Sequence, residues 1–280
     1  MDAFTVSAKP KAEGIRISEF LKGLGFSSSL ITKVKYGNVY LNGTAVHMRS
    51  PVFTGDTVKV IFPEESSEGI EPIDIPLEIL YEDSELLAVV KPRNMPTHPS
   101  KGNSLPTLAN AVMAHYMGRF VFRAVTRLDR DTSGIVIIAK NPLSCAKLSE
   151  SMKRGEFKKY YTAVVSGVPS EPHAIIDAPI KRESEGNMKR IVSPDGKRAI
   201  TEYWVREIHN GFSVCDILLH TGRTHQIRVH MAHIGNPLLN DFLYGERGDD
   251  GYMLHCTRIE LPHPITNEKI TLASDFPYKM

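Results

Sequence analysis

Cysteine is scarce in this chain. Only three occur in 280 residues, Cys145, Cys215 and Cys256, and they lie far apart without a Cys-x-x-Cys pair. This spacing is typical neither of a disulfide framework nor of a cysteine-based zinc site. We therefore expect buried thiols in a reducing compartment, the cytoplasm.

Long apolar runs are missing as well. No stretch of the sequence approaches the ~18 consecutive apolar residues that a membrane-spanning helix requires. The first residues, MDAFTVSAKPKAEG, have no apolar segment of signal-peptide length. The sequence therefore predicts a protein without a membrane partner.

Several catalytic signatures are absent. The chain has no Walker loop, no Gly-x-Gly-x-x-Gly after a strand and no Gly-x-Ser-x-Gly elbow, so we expect no nucleotide cofactor. Four histidines lie close together without a His-Glu-x-x-His motif, and packing or solvation explains them better than a metal. They are His220, His225, His230 and His233. We expect no metal and no cofactor.

Charge is distributed unevenly along the chain. Residues 1–62 carry eight basic and four acidic side chains, whereas residues 63–76 (PEESSEGIEPIDIP) carry five acidic ones and no basic one. The acidic segment also has the proline and serine content of a linker. We predict a small domain at 1–62, a linker at 63–76 and a larger domain at 77–280. A basic small domain suits a polyanion such as nucleic acid, although solvated surface lysines explain its charge about as well.

Strand patterns outnumber helix patterns. Asn-Gly pairs at 42–43 and 210–211 predict hairpins, and FVFRAV (120–125) and GIVIIAK (134–140) predict strands. A helix in the small domain is predicted to begin after FSSS, with Ser28 or Ser29 as its N-cap. We predict an α+β fold. Residues 77–280 would form a large mixed, mainly antiparallel sheet with a few flanking helices, preceded by a small α+β domain.

The segment RLDRDTSG, residues 127–134, places four charges between apolar strands. As a tight turn, its residues 131–133 would bond the local backbone and Gly134 would take a positive φ. As a site, it would hold Asp129 between Arg127 and Arg130. Neighbouring guanidinium charge can keep such a carboxylate ionised, and an ionised carboxylate can act as a nucleophile or a base. The segment alone leaves both interpretations open.

Two further segments could contact a substrate. In KKYYTAVVSG, Tyr161 would either belong to the core or stack on a base. Residues 218–235 concentrate hydrogen-bond donors near a predicted helix N-terminus, where phosphate binds readily and where a guanidinium could pair with a catalytic carboxylate. We predict substrate contacts from this segment by Arg223, His225 and Gln226.

These motifs, taken in order, resemble the RluA-type pseudouridine synthases. The resemblance covers residues 77–277 and is carried by EILYEDSELLAVVKPRNMPTHPS, RLDRDTSG, KKYYTAVVSG, GRTHQIRVHMAHIGNPLLNDFLYG and MLHCTRIELPHPIT. Residues 1–62 are similar to the RNA-binding domain named after small-subunit ribosomal protein four. The residues that carry this second similarity are RISEFL, FSSSLITKVKYGNVYLNG and GDTVKV.

The resemblance implies an activity and roles for particular residues. The protein would convert uridines of structured RNA, ribosomal RNA first and transfer RNA second, to pseudouridine without a cofactor. Asp129 would be the catalytic carboxylate, acting either on the anomeric carbon or by proton removal through a glycal. Tyr161 would pack on the flipped base and assist deprotonation. Arg228 would pair with Asp129, and Arg127 would fill the space that the base leaves.

Two positions depart from the family pattern. Thr126 stands where the family usually has histidine, and Asn240 stands before Asp241 where glycine is common. We expect activity to be retained. The alternatives are a non-catalytic RNA-binding or ribosome-assembly factor, for which Thr126 is the hint, and a glycosylase that releases the base. We expect a monomer.

Overall fold

The computed structural model describes residues 3–7, 11, 13–62, 65, 67, 69–99, 106–248 and 251–278. The helices of the described residues are α1 (Ile17–Gly23), α2 (Ser28–Val34), α3 (Leu108–His115), α4 (Pro142–Lys153) and α5 (Gln226–His233). The strands of the first part are β1 (Ala3–Ser7), β2 (Glu13–Arg16), β3 (Val39–Leu41), β4 (Thr44–Ala45), β5 (Pro51–Phe53) and β6 (Thr57–Ile61). The later strands are β7 (Glu78–Glu82), β8 (Leu86–Lys91), β9 (Arg123–Ala124), β10 (Ser133–Ala139), β11 (Lys158–Ser166), β12 (His173–Asp177), β13 (Ile180–Arg182), β14 (Arg190–Val192), β15 (Ile200–His209), β16 (Phe212–Leu219), β17 (Leu254–Pro262) and β18 (Lys269–Ala273).

A ten-stranded sheet organises the larger part of the chain. Its order is β12-β15-β16-β11-β17-β10-β8-β7, with β18 added to β17 and β9 added to β10. Among the described pairings of this sheet, β10 with β17 is the parallel one, and the others are antiparallel. The predicted α+β class with a mixed, mainly antiparallel sheet is confirmed.

Strand β10 lies near the middle of this sheet because its sequence is apolar throughout. Every residue from Ser133 to Ala139 is buried, as expected for a strand covered on both faces. Gly134 has a φ of 112°, and a Cβ there would lie 2.4 Å from the backbone nitrogen of Cys256 on β17. The predicted positive φ of Gly134 is confirmed, and the close approach of two strands explains the glycine. The charged segment that precedes β10 therefore emerges at the centre of the sheet.

The first part of the chain has its own sheet, and its hydrophobic cluster also includes Leu143 and Ala146 of α4. Strands β1, β6, β3 and β4 form an antiparallel sheet, and β2 pairs with β5. The predicted hairpin turn is present, with φ values of 50° at Asn42 and 83° at Gly43. The prediction for the cap of α2 was wrong: Ser27 is the N-cap and its Oγ accepts a hydrogen bond from the backbone N–H of Leu30 at 3.2 Å.

The acidic segment 63–76 contacts both parts of the chain, and its residues 63, 64, 66 and 68 lie outside the described ones. Glu65 forms ion pairs of 2.8 Å with Lys33 of α2 and with Arg123 of β9. Ser67 Oγ accepts a hydrogen bond from the backbone N–H of Phe122. The division of the chain at this segment stays a prediction.

Two segments differ from the expected pattern. FVFRAV forms only the two-residue strand β9, and the backbone N–H of Phe122 just before it donates to Ser67 Oγ of the acidic segment instead of to a strand partner. The strands β12, β13 and β14 were not predicted. Within the described residues, no helix is long and apolar enough to cross a membrane.

Candidate active site

A cavity of about 550 Å³ is lined by all the site residues that were nominated, that is, predicted, from the sequence. It lies where the loop before β10, strand β11 and the beginning of α5 meet. Strands β10 and β11 both pair with β17, which brings their ends together. The nominated residues that line the cavity are Arg127, Asp129, Tyr161, Arg223, His225, Gln226 and Arg228.

The Asp129 carboxylate lies in the cavity between two nitrogen atoms. Its Oδ2 is 3.8 Å from Nη1 of Arg228 and 3.9 Å from Nε2 of His225. Both distances exceed those of a hydrogen bond. The side chain of Asp129 is 30% exposed, whereas that of Arg228 is only 4% exposed. The carboxylate is therefore open to a substrate atom on one side and flanked by nitrogen donors on the other.

Arg228 is held by a different carboxylate. Its Nε and Nη2 donate hydrogen bonds of 2.7 Å each to the two oxygens of Asp241, which is completely buried. The guanidinium also lies 4.5 Å from the ring centroid of Tyr252 and 4.9 Å from that of Tyr244. Burial lowers the pKa of Arg228, but the bonds to Asp241 outweigh it and the pKa is raised. The arginine is a fixed cation that presents Nη1 to Asp129.

His225 is fixed by a tyrosine on the following loop. Its Nδ1 lies 2.8 Å from the hydroxyl of Tyr244, and this hydroxyl accepts a hydrogen bond from the backbone N–H of Arg190. This arrangement allows Tyr244 to donate its own proton to Nδ1, and in that tautomer the imidazole proton is on Nε2, toward Asp129. Burial lowers the pKa of His225, so the ring is neutral at neutral pH.

His225 also has unusual backbone geometry. Its φ is 57° at the beginning of α5. This left-handed conformation is uncommon outside glycine, and strain of this kind is often found at functional sites.

Tyr161 is buried on β11, with its side chain on the cavity wall. Burial raises the pKa of its hydroxyl well above the ordinary value, and the nearby Cys256 and Asp129 raise it further. The phenol therefore keeps its proton at neutral pH. This favours contact with a base over proton abstraction by a phenolate.

Gln226 lines the cavity, but its side-chain amide forms hydrogen bonds with other groups of the protein. Its Oε1 accepts from the Thr221 hydroxyl at 2.8 Å and from the backbone N–H of Arg223 at 2.9 Å. Its Nε2 donates to the Ile200 carbonyl and to the Thr201 hydroxyl at 3.0 Å each. These four bonds satisfy the amide, so Gln226 holds the loop that carries Arg223 and leaves no donor for a substrate.

Arg127 and Arg223 lie at the exposed rim of the cavity. The side chain of Arg223 donates to the carbonyl of Arg198 at 2.9 Å. Within the described part of the chain, the Arg127 side chain forms no hydrogen bond and no ion pair. An exposed guanidinium without a protein partner can move toward a bound nucleic acid.

The structure explains both departures from the family pattern. Thr126 is buried, and its hydroxyl accepts a hydrogen bond of 2.9 Å from the backbone N–H of Ile137 on β10. It therefore supports the loop that carries Asp129. Asn240 has a φ of 64°, a conformation that glycine adopts freely and asparagine tolerates. Thr126 itself lines the cavity, so this departure changes one side chain of the cavity wall.

The histidines near the site have separate roles. His220 pairs with Glu202 at 2.9 Å, while His230 is buried between the Thr201 hydroxyl and the Ala178 carbonyl. Among the described residues, no group of three or more histidine, cysteine, aspartate or glutamate side chains could hold a metal ion.

The sequence analysis missed one cation of the cavity. Lys159 lines the cavity two residues before Tyr161, so both side chains lie on the same face of β11. Its Nζ would lie 3.0 Å from a Cβ at position 222, where the chain has glycine. Burial lowers its pKa, and within the described residues it has no carboxylate partner. The sequence does carry a signal for Lys159. In the strand segment KKYY, side chains alternate between the two faces, so the second lysine shares a face with Tyr161.

Comparison with known proteins shows which protein family this chain is similar to. The sequence pattern described as RNA pseudouridylate synthase matches residues 85–233, which include all seven nominated residues. The chain is 37% identical to a Bacillus subtilis (strain 168) protein named uncharacterized RNA pseudouridine synthase YjbO, over 94% of this chain and 96% of that one. It is 34% identical to ribosomal large subunit pseudouridine synthase D of Haemophilus influenzae, over 99% and 93%. The solved structure of human RNA pseudouridylate synthase domain containing 1 is 26% identical, with a TM-score of 0.61, over 73% of this chain and 85% of that one.

Proposed function

Since this chain belongs to the RNA pseudouridylate synthase family, we propose that it converts uridines of ribosomal RNA to pseudouridine with Asp129 as the catalytic carboxylate. The protein is an RNA pseudouridine synthase and hence an isomerase. Ribosomal RNA as the substrate is supported by similarity to enzymes named for the large ribosomal subunit, and transfer RNA is the second candidate.

One observation carries the catalytic assignment. Asp129 is the carboxylate of the cavity that is both open to a ligand and flanked by the donors Arg228 and His225. A uridine within a duplex cannot bring its sugar to a recessed carboxylate, so the nucleotide must flip out of the stack. The exposed Arg127 would then occupy the space that the base has left.

The reaction breaks the bond between C1′ and N1 and forms one between C1′ and C5, while the proton on C5 moves to N1. Asp129 either attacks C1′ and forms an ester or removes a proton from the sugar to give a glycal. In both routes the uracil leaves as an anion. The protonated phenol of Tyr161 packs against it, and the neutral His225 donates its Nε2 proton toward the reacting carboxylate or sugar.

Lys159 suits the negative charge that develops on the leaving uracil. Same-face residues i and i+2 of a strand are about 6.6 Å apart. A base packed on Tyr161 therefore reaches the neighbouring lysine with a carbonyl oxygen. A half-buried cation without a carboxylate partner stabilises an anion strongly, because a bound base excludes the solvent that would screen the interaction. Lys159 would thus act after the glycosidic bond has weakened.

Lys159→Met should lower kcat by about 10²-fold with little change in RNA affinity. The exposed Lys158 points to the other face of β11, so Lys158→Met is a matched control that should retain wild-type kcat. Single-turnover rates and RNA binding would be measured for both variants. A Lys159 variant with normal kcat, weakened binding and a shallower salt dependence would identify a phosphate contact instead.

We also propose that residues 1–62 form an RNA-binding domain like that of small-subunit ribosomal protein four. The support is the sequence similarity, the positive charge of this segment and its own antiparallel sheet. Lys35 lies 4.5 Å from the ring centroid of Tyr36, which is 77% exposed, so this end of α2 offers a cation and an aromatic surface together.

Replacing Lys22, Lys35 and Arg49 with glutamine should weaken RNA binding. Each lost phosphate contact lowers the slope of log affinity against log salt by about 0.9. The slope would be obtained from binding measurements at several salt concentrations. An unchanged slope in the triple variant would show that these three residues do not contact the phosphates of the RNA, which would contradict the proposed RNA-binding domain.

The function is tested by product analysis. The purified protein would be incubated with ribosomal and transfer RNA that lack the modification, and pseudouridine would be mapped chemically. Pseudouridine in ribosomal RNA is the expected product. Free uracil would indicate a glycosylase, and modification of transfer RNA alone would overturn the substrate assignment.

The cytoplasm is the compartment that we propose for this activity. All three cysteines are free thiols, and Cys215 and Cys256 are buried. Such thiols suit a reducing environment. The monomeric state stays a prediction.

A further inference from the structure

Arg130 has no part in the proposed chemistry, although it belongs to the same loop as Asp129. It lines the catalytic cavity and also a second cavity of about 510 Å³ beside it. The other charged side chains of this second cavity are Arg93, Asp131 and Arg247. Three of its described lining residues thus carry guanidinium groups, which suit an anionic ligand.

Arg130 is held in place at the border of the two cavities. Its Nε and Nη2 donate to the two oxygens of Asp131 at 3.0 Å each. These bonds leave Nη1 for another acceptor, since no partner of Nη1 is found in the described part of the chain. A guanidinium fixed in this way loses little side-chain entropy when it binds a phosphate.

Arg93 lies across the cavity and packs on an aromatic ring. Its guanidinium lies 5.2 Å from the ring centroid of Tyr278. Gly251 makes room for it, because a Cβ at that position would lie 2.8 Å from Nη2 of Arg93. The turn that carries Arg93 is tied to the catalytic loop, since the Arg130 carbonyl accepts from Lys91 Nζ and from the N–H of Met95 at 3.1 Å each. The backbone therefore sets the spacing between the two guanidinium groups.

An aromatic ring lies beside these cations. Phe242 lines the second cavity and is 47% exposed, so its ring is accessible to a ligand. Its ring centroid is 5.7 Å from the guanidinium of Arg228, the arginine next to Asp129. An exposed aromatic ring among guanidinium groups offers a stacking surface for a nucleic acid base.

We infer that the second cavity binds the nucleotide next to the target uridine, with its phosphates on Arg93, Arg130 and Arg247 and its base on Phe242. This inference rests on the proposed function. Asp129 and Arg130 are adjacent in the chain, so a uridine whose sugar meets Asp129 places its own backbone at Arg130. The next nucleotide then enters the second cavity. The loop RLDRDTSG thus serves both cavities, through Asp129 in one and through Arg130 and Asp131 in the other.

The phosphate contacts are tested with Arg93→Gln and Arg247→Gln. On an RNA that the wild type modifies, each variant should raise KM about tenfold and lower the salt slope by about one unit, with kcat within about twofold of wild type. Arg119→Gln removes the same charge from an exposed residue that lines neither cavity, and it should leave KM and the slope unchanged.

The stacking contact is tested with Phe242→Ala and with RNAs that have an abasic site on either side of the target uridine. Phe242→Ala should raise KM about tenfold without changing the salt slope. With one of the two abasic RNAs, the KM of the wild type should rise by a similar factor. The KM of the variant should not rise further with that RNA. A loss in kcat instead of KM would mean that Phe242 supports Arg228, and it would overturn the stacking contact.

Failure of the inference differs from failure of the function. If the wild type modifies RNA but the Arg93 and Arg247 variants retain its KM and salt slope, the second cavity does not bind phosphate and the proposed function stands. If the wild type forms no pseudouridine in any RNA, the function fails before any variant is examined.

Discussion

Asp129→Asn should abolish pseudouridine formation while RNA binding stays near the wild-type level. The amide has almost the same shape as the carboxylate, but it is neither a nucleophile nor a base at neutral pH. We expect single-turnover rates to fall by roughly 10⁴-fold or more, as for other enzymes that lose a covalent or proton-transferring group. RNA affinity should be equal or slightly higher, because one negative charge is removed from a surface that faces phosphates.

Rates would be measured with saturating enzyme, and binding by titration of the same RNA. Glu150→Gln removes one carboxylate charge from an exposed residue of α4 and should retain full activity. Pseudouridine formation by the Asp129 variant at a rate near that of wild type would show that another group performs the chemistry.

Asp241→Asn should both destabilise the protein and inactivate it. Asp241 is completely buried, accepts both short bonds from Arg228, and its Oδ1 also accepts from the backbone N–H of Leu243 at 3.0 Å. Removal of the charge leaves the guanidinium buried without an anionic partner. Breaking a buried ion pair in this way costs about 3 kcal/mol or more of the free energy of unfolding. Arg228 would also lose the contacts that hold Nη1 near Asp129, so kcat should fall as well.

A neutral pair separates the two effects. In the double variant Arg228→Gln with Asp241→Asn, the two amides can bond to each other, and the amide oxygen at position 241 would still accept from the backbone N–H of Leu243. This double variant should regain most of the lost free energy of unfolding, measured by denaturant titration, yet remain inactive because the cation beside Asp129 is gone. Recovery of activity together with stability would show that the pair is only structural.

The residues of the candidate site could be nominated from the sequence because they occur in short, distinctive segments. Asp129 is a charged residue between apolar segments. The two-residue alternation of a strand places Tyr161 on one face, and the segment 218–235 concentrates hydrogen-bond donors near the predicted beginning of a helix. The strands β10 and β11 were likewise predicted from their apolar patterns, and β15 and β16 from the Asn-Gly pair between them. The short length of β9 and the cap of α2 were not predicted. Single hydrogen bonds, accepted by Ser67 and Ser27, are found at these two places.

The sequence by itself determined the α+β class, the central strands, and the group of residues that line the cavity. Only the tertiary structure decided which partners these residues have. It joined Arg228 to Asp241 and His225 to Tyr244, and it satisfied the amide of Gln226 with protein partners. It also placed Arg130 between two cavities. The physical reason is that period and composition reflect which face of an element is buried, whereas side-chain hydrogen bonds depend on which loops meet after the sheet has formed.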